Sequence, residues 1–371
     1  MIYFDNAATS YPKPRSVEKG IRDSIKYYCG NPGRSGHFLS IRTAEKIYYT
    51  RELIAELLGG VEAERIIFTS GATFGLNMVI SGIVKSGENY LISDLEHNSV
   101  IRPLAKYCQE RGAGYTVFKS DGNLLFNLNS SIKANTTAVI TTLCSNVTGT
   151  TLELEVLSKF AKEKKLRLIV DAAQAIGHYP IDLKKHHVDV LVAPGHKALF
   201  GPQGVGFVYI CEGFDFEPLI FGGSGIDTFS LDMPKTLPEK FEAGTPPTPA
   251  IVGLSKGLEF LKSYGLGEVK STLALLTDDL ADALFASDMT VYGVNNGIGV
   301  FNYKDISSFH LASILEKEGV LCRPGYHCSP IVHDRLGTMQ QGAVRLSLSV
   351  FNTHKQIDKL YSILKNLQKA L

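Results

Sequence analysis

Between Arg65 and Ile210 the chain repeats one pattern: a short apolar, β-branched run, a polar turn, then a stretch of helical period. Runs at 65–69, 90–93, 115–118, 138–143, 166–170, 188–192 and 205–210 read as strands. Stretches at 75–84, 100–111 and 154–164 read as helices between them. This alternation specifies an α/β fold with a largely parallel sheet covered on both faces. Ligands of such sheets sit beyond the carboxyl ends of the strands, so the loops after the strands carry the candidate chemistry.

At 371 residues, the chain has room for about two domains of roughly 150 residues each. A Gly- and Pro-rich tract at 221–249 breaks the alternation, and helical patterning resumes at 251–263. A second αβ segment with Val291, a run at 300–302 and a helix at 309–318 reads as a smaller C-terminal domain. The expected division is a large domain over 16–256 and a small one made of 1–15 with 257–371.

A net charge of +1 leaves no electrostatic footprint for nucleic acid or an anionic membrane. No segment approaches the ~20 apolar residues of a membrane span, and `MIYFDNAATSYPKP` lacks the pattern of a signal peptide. Six cysteines without paired spacing read as free thiols in a cytoplasmic protein. Neither H-E-x-x-H nor C-x-x-C occurs, so no metal is expected.

Polar groups gather at the strand ends. `SGATFGLN` leads from a strand into a helix through Ser70, Gly71, Ala72 and Thr73, which suits either a plain N-cap or a phosphate. `DLEHNSVIRP` places His97 in the next such loop, and `CSNVTGT` places Asn146 before a glycine turn. `DAAQAIGH` ends a strand on Asp171, a helix cap or a cation partner, with Gln174 three residues on. In `VDVLVAPGHKALFGPQGVGFVYI` an apolar run stops at Pro-Gly-His, and Lys197 stands alone among glycines. Asp171 and Lys197 then share one sheet edge on successive strands. A buried lysine of lowered pKa forms imines, and a carboxylate can keep a pyridine nitrogen protonated. Together these groups describe a pyridoxal 5′-phosphate site.

These stretches, with `YFDNAATS`, `FEAGTPPTP`, `RPGYHC` and `RLSLSVFNT`, resemble the class V aminotransferase family over nearly the whole chain. Within it they resemble the cysteine desulfurases and selenocysteine lyases. The resemblance implies fold type I, with a mainly parallel seven-stranded sheet in the large domain. It makes Lys197 the imine lysine, Asp171 the partner of the pyridine nitrogen, and His97 a group stacked on the cofactor ring. Gln174 and Asn146 would contact the phenolic oxygen or the substrate, while Ala72, Thr73 and His196 would flank the phosphate. Thr245 would reach the phosphate of a neighbouring subunit, implying a homodimer with composite sites.

Reaction type rests on `CRPGYHCSP`, where the resemblance makes Cys328 the thiolate that takes sulfur from L-cysteine as a persulfide and releases L-alanine. Its context is that of the SufS-like branch, which passes sulfur to a small acceptor protein. Arg345 in `AVRLSLS` would hold the substrate carboxylate, with Arg323 a second candidate; a planar guanidinium suits that bidentate role. Cys144 and Cys211, in or at the end of apolar runs, read as core residues. Pro194, Ala72 and Tyr326 depart from the family pattern, and Pro194 removes a phosphate donor, which implies weaker cofactor retention. The alternatives are a selenocysteine lyase, an aminotransferase or C–S lyase in which Cys328 is not essential, and, more distantly, a non-catalytic scaffold.

Overall fold

The computed structural model describes residues 1–33 and 35–370, with side chains through 367. The N-terminal elements are β1 (Ile2–Tyr3), α1 (Arg15–Tyr27) and α2 (Phe38–Leu57). An alternating series follows: β2 (Ile66–Thr69), α3 (Ala72–Ile83), β3 (Asn89–Ser93), α4 (Asn98–Arg111), β4 (Gly114–Phe118), α5 (Leu124–Ser131), β5 (Thr136–Thr142), α6 (Leu154–Lys164), β6 (Arg167–Asp171), β7 (Val190–Pro194) and β8 (Gly206–Ile210). After a long irregular segment come α7 (Thr248–Tyr264), α8 (Leu266–Phe285), β9 (Thr290–Asn295), β10 (Ile298–Asn302), α9 (Ser308–Lys317), β11 (Val320–Leu321), α10 (Pro330–Arg335), β12 (Val344–Ser347) and α11 (His354–Ala370).

All seven expected strands enter one sheet, in the order β2-β8-β7-β6-β5-β3-β4, parallel except for β8. Alternate residues of each central strand feed opposite cores, because both faces are covered. Leu91, Val139, Leu168, Val170 and Leu191 face one core. Ile92, Ile140, Ile169, Val190, Val192 and Val208 face the other, against Leu76, Val79 and Ile80 of α3 and Leu104 of α4. This two-sided burial is why the runs are β-branched rather than alternating.

Two of the boundaries that differ from the sequence reading bear on the cavity side of the sheet. α3 begins at Ala72, directly after Gly71, whose φ of 151° is open to glycine and strained for other residues. β7 continues through Pro194 instead of stopping before it: Pro194 pairs with Gly206 of the antiparallel β8, at a strand end where its missing N–H is tolerated.

Beyond the large sheet, β9, β10 and β12 form a three-stranded antiparallel sheet, and β1 pairs with β11 in parallel. Asp5 bridges to Ser347 as well, so the N-terminal segment is joined to C-terminal elements. Among the described residues no helix is long and apolar enough to cross a membrane.

α3 lies tight on the sheet at Gly75. A Cβ there would fall 2.7 Å from Val208 Cγ2 and 2.8 Å from Val192 Cγ1. Gly75→Val is therefore expected to lose about 1–3 kcal/mol through overpacking, despite any helix-propensity gain. Urea unfolding should show a lower midpoint with an unchanged slope.

Candidate active site

The carboxyl ends of β2, β3, β5, β6 and β7 open on one cavity of about 280 Å³. Its walls include Ala72, Thr73, His97, Asn146, Asp171, Gln174, Pro194, His196 and Lys197, so the sequence-predicted residues of five strand ends meet at one place. Asp171 closes β6 and Lys197 follows the adjacent β7. Among the described residues the Lys197 ammonium has no hydrogen bond and no contact ion pair. Burial lowers its pKa to about 8, opposed by the Asp171 carboxylate and aided by Arg345 and Arg323. Burial likewise raises Asp171, whose Oδ1 accepts the Ala173 N–H at 2.9 Å.

The segment 3–13 fixes the backbone around the lysine. The His196 carbonyl accepts from Lys13 Nζ (2.6 Å), Thr9 Oγ1 (3.1 Å), Ser10 N (3.2 Å) and Ser10 Oγ (3.2 Å). Ser10 Oγ also lies 2.8 Å from the Lys197 carbonyl oxygen. Gln174 Nε2 donates to the Ala7 carbonyl at 2.9 Å.

His97 caps α4, its Nδ1 accepting the Ser99 N–H at 3.0 Å. That bond puts the proton of the neutral ring on Nε2. Burial, Lys197, Arg323 and Arg345 press its pKa down to about 4, so it is neutral at pH 7. Ser99 Oγ joins His97 Nδ1 (2.9 Å) to Thr73 Oγ1 (2.7 Å), a link the sequence reading did not contain.

Four observations test whether an aldehyde-bearing, phosphorylated pyridine would fit here. No side chain caps α3, so its first-turn amides are free for an anion. His196 Nδ1 is buried without a partner. A Cβ built on Gly71 meets nothing within 4 Å, leaving room for a close approach to its backbone. The Lys197 amine is unpaired, and Asp171 stands on the neighbouring strand. The residues present fit such a group.

Arg345 is fully buried: Nη2 pairs with Asp5 Oδ1 at 2.8 Å, Nη1 donates to the Asn146 carbonyl at 2.8 Å, and Nε has no acceptor. Asn146 lines the cavity, yet both ends of its side chain serve the cysteine loop. Nδ2 donates to the His327 carbonyl (2.7 Å), and Oδ1 accepts from Ser329 Oγ (2.7 Å). The Asn98 N–H donates to the Cys328 carbonyl at 2.7 Å. Cys328 is exposed, with Arg323 Nη2 3.7 Å from its Sγ. Thr245 is exposed and stands outside the cavity of its own chain, its Oγ1 accepting from Asn31 Nδ2 at 3.4 Å.

Cys144 and Cys211 are buried, and burial lifts both thiols to about 12. Cys211 lies with Asp189 and His187 at the opposite edge of the sheet. There its thiol donates to Asp189 Oδ1, and that same oxygen is 3.3 Å from His187 Nε2.

Sequence reasoning passed over Asp5, Glu96, Ser99 and Ser329. Glu96 is fully buried beside the strand ends, accepting from Ser93 Oγ and from the Thr142 N–H, with Oε2 unpartnered. Burial raises its pKa from 4.5 to about 8. A carboxyl that holds its proton more tightly folded than unfolded contributes stability that is full below pH 4.5 and lost as the pH rises through 8. Glu96→Gln keeps the Oε1 acceptor and cannot ionise. Urea titrations are expected to show the variant gaining on the wild type from pH 5 to pH 8.

A family model for class V aminotransferases matches residues 2–360 of this chain. A Pyrococcus abyssi protein named "Probable cysteine desulfurase" is 32% identical over 386 residues, covering 100% of this chain and 95% of the relative. An Escherichia coli cysteine desulfurase is 32% identical over 388 residues, covering 100% and 94%. The apo structure of a cysteine desulfurase from Thermococcus onnurineus superposes with a TM-score of 0.94 at 32% identity, covering 100% of this chain and 95% of that one.

Proposed function

The chain belongs to the class V aminotransferase family, and we propose that it is a pyridoxal-phosphate-dependent cysteine desulfurase whose persulfide forms on Cys328. The observation that carries this reading is the bond between site and loop. Asn146, a wall of the cavity that holds Lys197, bonds to the His327 carbonyl and the Ser329 hydroxyl on either side of an exposed cysteine. An aminotransferase has no use for a thiol held at that place.

When bound, the cofactor supplies an electrophilic carbonyl and an electron sink for the substrate carbons. The other tasks belong to the chain. Lys197, with a pKa of about 8, carries an appreciable neutral fraction at pH 7–8, and only the neutral amine is a nucleophile. Asp171 would hold the proton of the pyridine nitrogen, and neutral His97 would lie against the ring. First-turn amides of α3, Thr73 and His196 would take the phosphate. Arg345 would bind the substrate carboxylate through its Nε edge, the N–H without an acceptor. Arg323 stands beside the thiol, its Nη2 3.7 Å from Sγ. The Cys328 thiolate would attack the substrate sulfur; the carbon–sulfur bond would break with its electron pair left on the β-carbon, which takes up a proton equivalent to that of the substrate thiol, so that the enzyme keeps a persulfide and alanine leaves.

The large domain of this enzyme would be 16–256, and 1–15 with 257–371 would form the small one. Phe229 and Leu231 are fully exposed in the irregular segment, with Phe221 two-thirds exposed. Such apolar exposure supports a homodimer that covers them and brings Thr245 to the partner's phosphate. Sedimentation should give twice the 40.5 kDa of the chain; a monomer at micromolar concentration would refute this.

The direct test is alanine released from L-cysteine, with reductant and added cofactor. Wild type is expected to turn over, Cys328→Ala to release no alanine above background, and Lys197→Ala to lose the visible absorption band. Alanine from Cys328→Ala at the wild-type rate would sink the persulfide reading. L-Selenocysteine as substrate, run in parallel, separates a desulfurase from a selenocysteine lyase. Pro194 lines the cavity without a donor, and a lost charged hydrogen bond is worth roughly 1.5–3 kcal/mol. Dialysis against buffer free of pyridoxal phosphate should therefore strip part of the cofactor; full retention would contradict this.

A further inference from the structure

We propose that His333 is a positioning residue for Cys328: its imidazole, fixed by the Thr338 hydroxyl, donates to His327 and so holds the left-handed elbow that presents the thiol. The inference rests on the reading of Cys328 as the sulfur-accepting nucleophile.

His327 and Cys328 have φ values of 50° and 59°, two consecutive non-glycine residues in the left-handed region. That conformation is disfavoured for side-chain-bearing residues and persists only where surrounding bonds over-determine it. The Asn146 side-chain amide and the Asn98 N–H hold the two carbonyls of the elbow. The His327 ring needs a separate restraint.

The ring pair supplies it, and with both rings neutral their partners fix which nitrogens carry the protons. His327 Nε2 lies 3.1 Å from the Arg323 carbonyl, which can only accept, so Nε2 carries the proton. Both imidazoles are buried and their pKa values are pressed well below 6.5, which leaves His327 Nδ1 a bare acceptor. His333 Nε2, 3.0 Å away, must then donate. Its own Nδ1 is left bare and accepts the Thr338 hydroxyl at 2.7 Å. The chain of donors runs one way: Thr338 to His333 to His327 to the Arg323 carbonyl. Removing one member leaves a buried ring nitrogen of its neighbour without a partner.

The chain also governs Arg323, whose carbonyl it ends on and whose Nη2 approaches Cys328 Sγ. His333 touches neither the cavity nor the thiol. Its effect travels through His327 and the elbow. With the L-cysteine carboxylate on Arg345, which is held by Asp5 and Asn146 rather than by this chain of donors, the sulfur-transfer geometry depends on His333 and substrate binding does not.

The test compares His333→Leu, His333→Gln and Thr338→Val in the full-length enzyme supplied with pyridoxal phosphate. Three quantities are read: hydrogen exchange of the 322–330 peptide, iodoacetamide modification of Cys328 mapped by mass spectrometry, and KM and kcat for alanine release. In His333→Leu the loop should exchange faster while peptides of the large sheet do not, and the Cys328 alkylation rate should change. Its kcat should fall about ten- to a hundredfold with KM within about twofold, the mark of misplacement rather than lost binding. His333→Gln, which can keep a donor to His327, should recover much of the loss, and Thr338→Val should lie between. Unchanged loop exchange and kcat in His333→Leu would overturn the proposal, as would a KM effect equal to the kcat effect. If His333→Leu does not fold, Thr338→Val decides: no change in exchange or kcat overturns it. If the wild type releases no alanine, the nucleophile reading falls, yet loop exchange and alkylation still report whether His333 holds the elbow.

Discussion

An amine enclosed at the edge of a sheet, with no bonded partner among the described residues, is the constraint on which the rest of the site turns. Lys197 is disfavoured as an ammonium there, and burial brings its pKa to about 8. One carboxylate, Asp171, opposes that shift from the neighbouring strand. Two histidines close by, His97 and His196, are held neutral by burial and by the lysine itself. The site thus concentrates donors and one anion around a lysine poised between its two protonation states. None of these groups would have its observed balance on a solvent-exposed loop.

The lysine can be held this way because its backbone is strapped from outside the sheet. Residues 3–13 supply four donors to the His196 carbonyl, accept Gln174 through Ala7, and pair Asp5 with Arg345. The same segment pairs β1 with β11 beside the cysteine loop. One short stretch therefore sets the lysine, the arginine and the root of the loop relative to each other. Removing Asp5 alone would leave the Arg345 cation fully buried without its counter-ion, a change that costs about 3–5 kcal/mol in comparable pairs.

What could be read from the sequence followed period and locality. The seven strands stand out because both faces are buried, and the strand-end residues stand out because each interrupts an apolar run. Asp171, Lys197, His97 and Gln174 are visible for that reason. Asp5, Ser99, Ser329 and His333 were not, because their meaning lies in partners 340, 26, 183 and 6 residues away, and no spacing rule links them. Asn146 is the instructive case. The family resemblance makes it a contact for cofactor or substrate; it lines the cavity, and its side-chain amide is bonded at both ends to the cysteine loop, which no sequence pattern announced. A glycine turn after a strand says where a side chain starts, not which of two neighbours it reaches. The shift of β7 through Pro194 has the same origin, since only the antiparallel partner β8 makes a proline tolerable there.

The two nucleophiles of the proposed reaction are treated in opposite ways, and the sign of their charge explains it. An amine attacks as the neutral base, so burial helps Lys197. A thiol attacks as the anion, so burial would disable it. The chain displays that penalty elsewhere: Cys144, Cys211 and Cys322 are all lifted to about 12 by burial. Cys328 must therefore stand in solvent beside a cation, which is where the structure has it, with Arg323 at 3.7 Å. An exposed loop left to itself would wander, and sulfur transfer tolerates little misplacement. The solution is to root the loop in the buried part of the site through Asn146, and in a buried imidazole pair through His327. The thiol then gains exposure without losing position, and the left-handed backbone at 327–328 is the conformational cost of meeting both demands at once.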